Sequence, residues 1–255
     1  MTTILVTGGS GVLGRHIVER LRGQDHEVRV LSRRVGAGTH VGDLSTGAGV
    51  RAAADGADLI VHAASDFKKF GKPDPDGTRT LLAAAGKARH LLYVSIVGID
   101  RIPFAYYRKK LECEQLIEES GVPHTILRAT QFHDLVAQAL HSVERLPVTP
   151  LPLDFRFQTV STPDVAARIA DLIVGQPLGR APDFGGPEVL TLGEMTETWR
   201  SARSAPRRPV RIPLPGTVAG DFRQGLNTCP SHRDGTQTWA QYVAEYSEKP
   251  YRLLG

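Results

Sequence analysis

No stretch of the sequence approaches the roughly 20 uncharged apolar residues that a membrane-spanning helix requires. The first residues also lack the basic, apolar and small-residue succession of a secretory signal. A cytoplasmic protein without membrane contact is the expectation. Cysteine is scarce: Cys113 and Cys229 are the only two, neither has metal-ligand spacing, and together they allow at most one bridge. Cys113 falls in the helical pattern Lys110 to Ile117, where a buried thiol is expected. The nine histidines contain no H-x-x-x-H spacing, so nothing points to a metal. Internal repeats and low-complexity tracts are missing as well. So is a basic stripe interleaved with aromatics, because the net charge of +4 is scattered apart from Arg33-Arg34, Lys68-Lys69, Arg108-Lys109-Lys110 and Arg207-Arg208. No nucleic-acid partner is expected.

What is present is an ordinary globular composition. The 255 residues, 41% hydrophobic and 23% charged, suffice for one sizeable core and a smaller lobe. Short apolar runs predict strands at Ile4–Val6, Val28–Leu31, Leu59–His62, Leu91–Val94 and His124–Leu127. Helical patterns lie between them near 12–23, 47–55, 76–88 and 105–120. This alternation predicts parallel βαβ units and an α/β, Rossmann-type doubly wound sheet over residues 1–145. Beyond it the prolines Pro147, Pro150, Pro152 and Pro163 cluster and the alternation loosens. Residues 146–255 are expected to form a smaller substrate-binding lobe, with helices at 162–173 (Thr162 as N-cap), 191–203 and 235–246.

The first strand runs into Thr7-Gly-Gly-Ser-Gly-Val-Leu-Gly14. Glycines at 8, 11 and 14, after a strand and opening a helix, suit a dinucleotide: tight turn, close backbone approach, close helix–strand packing. An ordinary glycine-rich turn is the alternative. An NAD-preferring site places an acid at the end of the second strand, whereas this chain has Leu31-Ser-Arg-Arg34. Arg33 or Arg34 suits a 2′-phosphate, so NADP(H) is expected over NAD(H), against the alternative of two solvated arginines. Asp43, in Gly42-Asp-Leu44, is a candidate for the adenine amino group or a turn aspartate.

Tyr106 and Lys110 stand four residues apart on one predicted helix face. A neighbouring ammonium favours a phenolate, which predicts a lowered Tyr106 pKa and proton exchange near neutral pH. Ser95, at the end of Tyr93-Val-Ser95, offers a hydroxyl to the same substrate oxygen. A surface helix explains the Tyr-x-x-x-Lys string when taken alone. With the glycine loop upstream it is specific.

On these motifs the chain resembles the atypical short-chain dehydrogenase/reductases, in the NmrA-like and NAD(P)H-binding, quinone-reductase-like branch. The matching stretches are Thr7–Gly14, Val30–Arg33, Tyr93–Asp100, Tyr106–Glu114, Gly121–Arg128 and Asp183–Leu190. The resemblance implies that Thr7, Gly8, Ser10, Gly11, Val12, Leu13 and Gly14 hold the pyrophosphate, and that Ser32, Arg33 and Arg34 face the 2′-phosphate. It implies Asp43 and Leu44 beside the adenine, and Ala63, Ala64 and Ser65 under the adenosine ribose. Lys110 would bind the nicotinamide ribose, Tyr106 donate a proton and Ser95 orient a carbonyl. Arg128, Ala129 and Thr130 would border the carboxamide, where the substrate pocket begins. Where the family often carries an Asn-containing turn, this chain has His62-Ala-Ala-Ser65. Main-chain contacts survive that change, but no side-chain proton relay is expected through this loop.

Phe104, Phe132 and His133 are candidate substrate contacts, with packing as the alternative for each and a structural role for His62. The loop Phe67–Pro73 reads equally as an active-site rim or a solvated connector. The expected activity is NADPH-dependent hydride transfer to a carbonyl or conjugated double bond of a small organic substrate, by a monomer or homodimer. The alternatives are an NADP(H)-sensing regulator without catalysis and a non-redox epimerase, cyclase or dehydratase on the same fold.

Overall fold

The computed structural model describes residues 2–246 except 25, 37, 87, 144, 145, 147 and 204–208. Pro147, Arg207 and Arg208 therefore lie outside the described residues. The chain divides into two units, one of residues 1–95, 104–128 and 165–182, the other of 96–103, 129–164 and 183–255. The boundary expected at 145 is thus not a single cut. Residues 165–182 return to the first unit because they extend its sheet.

The first half alternates β1 (Thr3–Thr7), α1 (Val12–Arg22), β2 (Glu27–Ser32), β3 (Thr39–Val41), α2 (Val50–Ala54), β4 (Leu59–His62), α3 (Asp74–Ala84), β5 (His90–Ile96), α4 (Ala105–Glu119) and β6 (His124–Ala129). There follow α5 (His133–Val143), β7 (Thr149–Leu151), β8 (Arg156–Phe157), α6 (Thr162–Val174), β9 (Gly179–Arg180), β10 (Leu190–Thr191), α7 (Leu192–Arg203), β11 (Pro209–Arg211), α8 (Thr217–Gln224) and α9 (Trp239–Tyr246). Seven strands form one parallel sheet in the order β3-β2-β1-β4-β5-β6-β9. This is the doubly wound arrangement expected, and its order reverses between β1 and β4, where such folds bind ligands beyond the strands' carboxyl ends.

Ile4, Leu5 and Val6 are fully buried, as are Ile60 and Val61. Covered on both faces, such strands need continuous apolar runs rather than alternation. α2 starts later than expected because Gly47 and Gly49 hold φ of +78° and +70°, outside the helical region. α6 carries a correction. Ser161 Oγ accepts the Asp164 N–H at 3.2 Å, so Ser161 is the N-cap and Thr162 lies inside the helix.

In the second unit β8 pairs with β10 and β7 with β11. Its core gathers Leu140, Met195, Trp199, Trp239 and Val243 from α5, α7 and α9. Reciprocal capping boxes start two of these helices: Thr191 with Glu194 before α7, and Thr238 with Gln241 before α9. Among the described residues, no helix is long and apolar enough to cross a membrane.

Candidate cofactor and proton-transfer site

β1 delivers the chain to the sheet's reversal point at Thr7. Gly8 turns there with φ +72°, and a Cβ on it would lie 2.6 Å from the Ala64 amide nitrogen. A Cβ on Gly14 would run into the Gly8 carbonyl. Only glycine fits either position. A Cβ on Gly11 would lie a tight 3.1 Å from the Gly8 carbonyl oxygen. Gly11 is the N-cap of α1, with no side-chain cap and no acid in the first turn. The first amides of α1 therefore point outward from an electropositive helix end, a cradle that fits a pyrophosphate. Ser10 and Gly11 are exposed there, with Val12 half-buried and Leu13 and Gly14 turned inward.

Thr7 serves differently from its expected phosphate role. Its Oγ1 lies 2.7 Å from His62 Nδ1, and His62 Nε2 lies 3.1 Å from Thr78 Oγ1. Thr78 donates its proton to the Asp74 carbonyl at 2.8 Å, so it accepts from Nε2–H and Nδ1 accepts from Thr7. Burial pushes the His62 pKa down to about 3, with the Lys110 charge adding to it, and the ring stays neutral. This buried chain ties β1, β4 and α3 together and sets the loop Ala63–Ser65.

Arg33 and Arg34 are exposed beyond β2, where Ser32 Oγ accepts the Arg34 N–H at 3.0 Å. Asp43 holds its own turn: Oδ1 accepts Ser45 N–H at 2.9 Å and Ser45 Oγ–H at 2.7 Å. Those bonds, with the Arg33 charge, lower its pKa. The turn reading of Asp43 is the one the structure takes. Leu44 packs against the core of the first unit.

Tyr106 and Lys110 both lie on the buried face of α4. Lys110 is 4% exposed, and its Nζ donates to the Val94 carbonyl at 2.7 Å above the Tyr93 ring. The ammonium is thereby anchored one residue before Ser95. Ser95 Oγ is buried and has no hydrogen-bond partner among the described residues, an arrangement that costs about 1–3 kcal/mol. The expected lowering of the Tyr106 pKa is not what the structure gives. Burial raises it to about 12, with the Asp74 charge adding and the Ser65 bond opposing. Tyr106 is therefore a phenol, held ready to donate.

Its hydroxyl lies 2.9 Å from Ser65 Oγ, which lies 2.5 Å from Asp74 Oδ2. A side-chain hydrogen-bond link from Tyr106 into the His62–Ser65 loop therefore exists, where the departure from the family's Asn-containing turn put a side-chain relay in doubt. The segment Phe67–Pro73 is largely exposed, yet part of it packs beside Tyr106. Phe67 stands edge-on to the Tyr106 ring at 5.2 Å, and Phe70 meets Phe104, which meets Tyr107. No local motif marks a role for Gly71, within Phe67–Pro73, or for Asp74, just after it.

Arg128 does not reach outward as expected. Its Nε and a terminal nitrogen donate to the two carboxylate oxygens of Glu114 at 2.9 and 2.6 Å, and both side chains are buried. In the second unit, the Ala129 carbonyl accepts from Val97 N–H, Thr130 N–H donates to the Phe184 carbonyl, and Phe132 bridges Val160. His133 is fully buried, with Thr159 Oγ1 2.8 Å from Nδ1 and the Gln237 carbonyl 3.0 Å from Nε2. Both nitrogens are occupied, so His133 takes the packing alternative rather than a substrate contact.

Burial also pushes the His133 pKa down to about 4 from an ordinary 6.5. A depressed pKa stabilises the fold above the unfolded value and withdraws that contribution as pH falls through the folded one. At about 1.4 kcal/mol per unit, His133 alone removes on the order of 2–3 kcal/mol between pH 6.5 and 4. Thermal melts across that range are expected to show a falling Tm, and a flat profile contradicts this.

A parallel sheet with a glycine loop at its reversal point and an uncapped helix N-terminus over it defines a dinucleotide-binding Rossmann protein. The chain belongs to the NAD(P)H-binding family, whose model matches residues 8–175. It is 32% identical over 205 residues to the (4-alkanoyl-5-oxo-2,5-dihydrofuran-3-yl)methyl phosphate reductase of Streptomyces griseus, spanning 76% of this chain and 71% of that protein. An NADPH-dependent quinone oxidoreductase of Escherichia coli, solved with NADPH, shares the fold with a TM-score of 0.78 at 18% identity, over 96% of this chain and 99% of that one. So does the UDP-glucose 4-epimerase of Thermotoga maritima, with a TM-score of 0.74 at 18% identity over 97% and 99% of the two chains.

Proposed function

We propose that the protein is an NADPH-dependent reductase acting on a carbonyl or conjugated double bond of a small, fairly apolar organic substrate. The observation that carries this is the buried Tyr106 phenol one helical turn from an anchored Lys110, with the unpartnered Ser95 hydroxyl next to that anchor. When bound, the nicotinamide supplies the hydride. The chain's own groups do the rest. The glycine loop and the first turn of α1 hold the pyrophosphate, and Arg33 pairs with the 2′-phosphate. Lys110 holds the nicotinamide ribose, Ser95 donates to the substrate oxygen, and Tyr106 protonates that oxygen as charge develops. A phenol with its pKa near 12 carries that proton at neutral pH. The reductase among the relatives supports this reading over cofactor sensing.

Arg33→Ala is expected to weaken NADPH binding about 10- to 100-fold, the loss of one charge-assisted contact, and to leave NADH binding unchanged. Fluorescence titration with both cofactors measures it, and equal effects on the two would remove Arg33 from the 2′-phosphate site. The function itself is tested by following reduced-nicotinamide absorbance against a panel of aldehydes, ketones and quinones. Tight NADPH binding with no oxidation by any of them would favour the sensing alternative.

A further inference from the structure

We propose that Ser65 and Asp74 are positioning residues for Tyr106, forming a directed hydrogen-bond chain that holds its hydroxyl and returns its proton after each transfer. The proton-return half rests on Tyr106 acting as the proton donor; the chain itself does not.

The direction follows from the donors available. A carboxylate can only accept, so the single proton of Ser65 goes to Asp74 Oδ2, and Ser65 Oγ must accept from the Tyr106 hydroxyl. Asp74 Oδ1 is engaged as well, accepting the Asp66 N–H at 2.9 Å. Asp74 is the first residue of α3 and Pro75 follows it.

The loop is shaped around this chain. Asp66 caps the short 3-10 turn Phe67–Lys69, and its carbonyl accepts from Gly71 N–H. Phe70 and Gly71 hold φ of +51° and +67°. Phe70 is the one non-glycine at positive φ among the described residues, a conformation that costs on the order of 1 kcal/mol. The turn lays Gly71 flat on the phenol: a Cβ there would lie 3.0 and 3.2 Å from two Tyr106 ring carbons and 3.3 Å from Asp74 Oδ2. Strain, cap and missing side chain all serve one contact.

When Tyr106 gives its proton to a substrate oxygen, one O–H bond breaks at the phenol and one forms on the substrate. Ser65 then passes its proton to the phenolate and takes one from the Asp74 carboxyl, which water has loaded. Each O–H bond broken is matched by one formed, and the net change is one solvent proton delivered. Ser65 is exposed and Asp74 half-buried, so water reaches the chain. The other titratable groups facing it are Cys113 and Lys110 on α4, Tyr93 on β5, and Asp66 and Lys69 in the loop.

The test needs neither cofactor nor substrate. In protein labelled with carbon-13 at tyrosine Cζ, the Tyr106 resonance is the one missing from Tyr106→Phe. Asp74→Asn is expected to move that resonance, because an amide can donate to Ser65 and reverse the chain. In a Ser65→Ala background the same substitution is expected to move it much less, because only the Asp74 charge then acts on the ring. Equal movement in both backgrounds would overturn the chain, since only a through-space effect of charge would remain. In a second arm, with NADPH and benzaldehyde or menadione as probes, Ser65→Ala is expected to lower kcat about tenfold with KM for the probe unchanged. Ser65→Thr is expected to restore it. An unaltered kcat would overturn the proton-return role. If the wild-type protein oxidises no NADPH with either probe, that counts against the reductase reading and its proton-return step, while the resonance still judges the chain.

Discussion

Tyr106→Phe is expected to cut turnover by about 10²–10⁴-fold while NADPH affinity stays close to that of the wild type, the range lost with a positioned general acid. The reason lies in what the hydroxyl touches. The hydroxyl bonds to Ser65 rather than to the glycine loop or Arg33, so removing it leaves the pyrophosphate and 2′-phosphate groups intact. The ring stays packed between Phe67 and the Gly71 backbone, and the fold is expected to survive. Ser65 is exposed and can turn its lone pairs to water, so the cost in stability is small. Comparing kcat with the NADPH dissociation constant for the two proteins checks this. Unchanged turnover would remove Tyr106 from the mechanism, and a parallel loss of affinity would make it a cofactor ligand instead.

The largest stability effect is expected at Glu114. Glu114→Ala withdraws the carboxylate to which two nitrogens of Arg128 donate, at a place where both side chains are buried. Removing one partner of a buried pair costs about 3–5 kcal/mol, because the remaining charge is left without its counter-ion away from water. For a chain of this size, 1 kcal/mol moves Tm by roughly 2–4 °C, so a fall of about 6–20 °C is expected. Replacing both residues, as Glu114→Leu with Arg128→Met, removes the stranded charge and is expected to recover much of that loss. Thermal melts of the single and double variants decide it. A double variant no better than the single one would mean that packing, rather than the ion pair, holds this position.

The fold was legible where burial is two-sided. β1, β4 and β5 read as continuous apolar runs because their strands are covered on both faces, and the helices between them carry regular spacing. β3 and β9 were not legible. One is a short, largely exposed strand and the other two residues long, and both are held by pairing at the sheet's margins rather than by apolar pattern. α5 follows a bridged loop at Phe132 with no capping residue to announce it.

The site divides in the same way. The glycine loop is legible because its backbone demands are local: Gly8 and Gly14 are fixed by contacts that any side chain would violate. The Tyr106–Lys110 pair was visible as a spacing, but its electrostatics were not. The sequence shows that an ammonium is near a phenol, not that the ammonium is turned to the Val94 carbonyl and that burial governs the phenol. Ser65 and Asp74 meet Tyr106 across 41 and 32 positions of chain, and no local pattern encodes that meeting. Arg128 was misread for a related reason. Its partner Glu114 looks like a solvated helix carboxylate until α4 and β6 are packed together.

The central claim is that a hydride leaves the nicotinamide for the substrate while Tyr106 supplies the proton. The most direct measurement uses NADPH carrying deuterium on its transferable carbon, with an aldehyde that supports turnover. The account predicts deuterium bonded to the carbinol carbon of the product, and near absence of that product with Tyr106→Phe in the same time. Product that forms without deuterium while the cofactor keeps its label would contradict it.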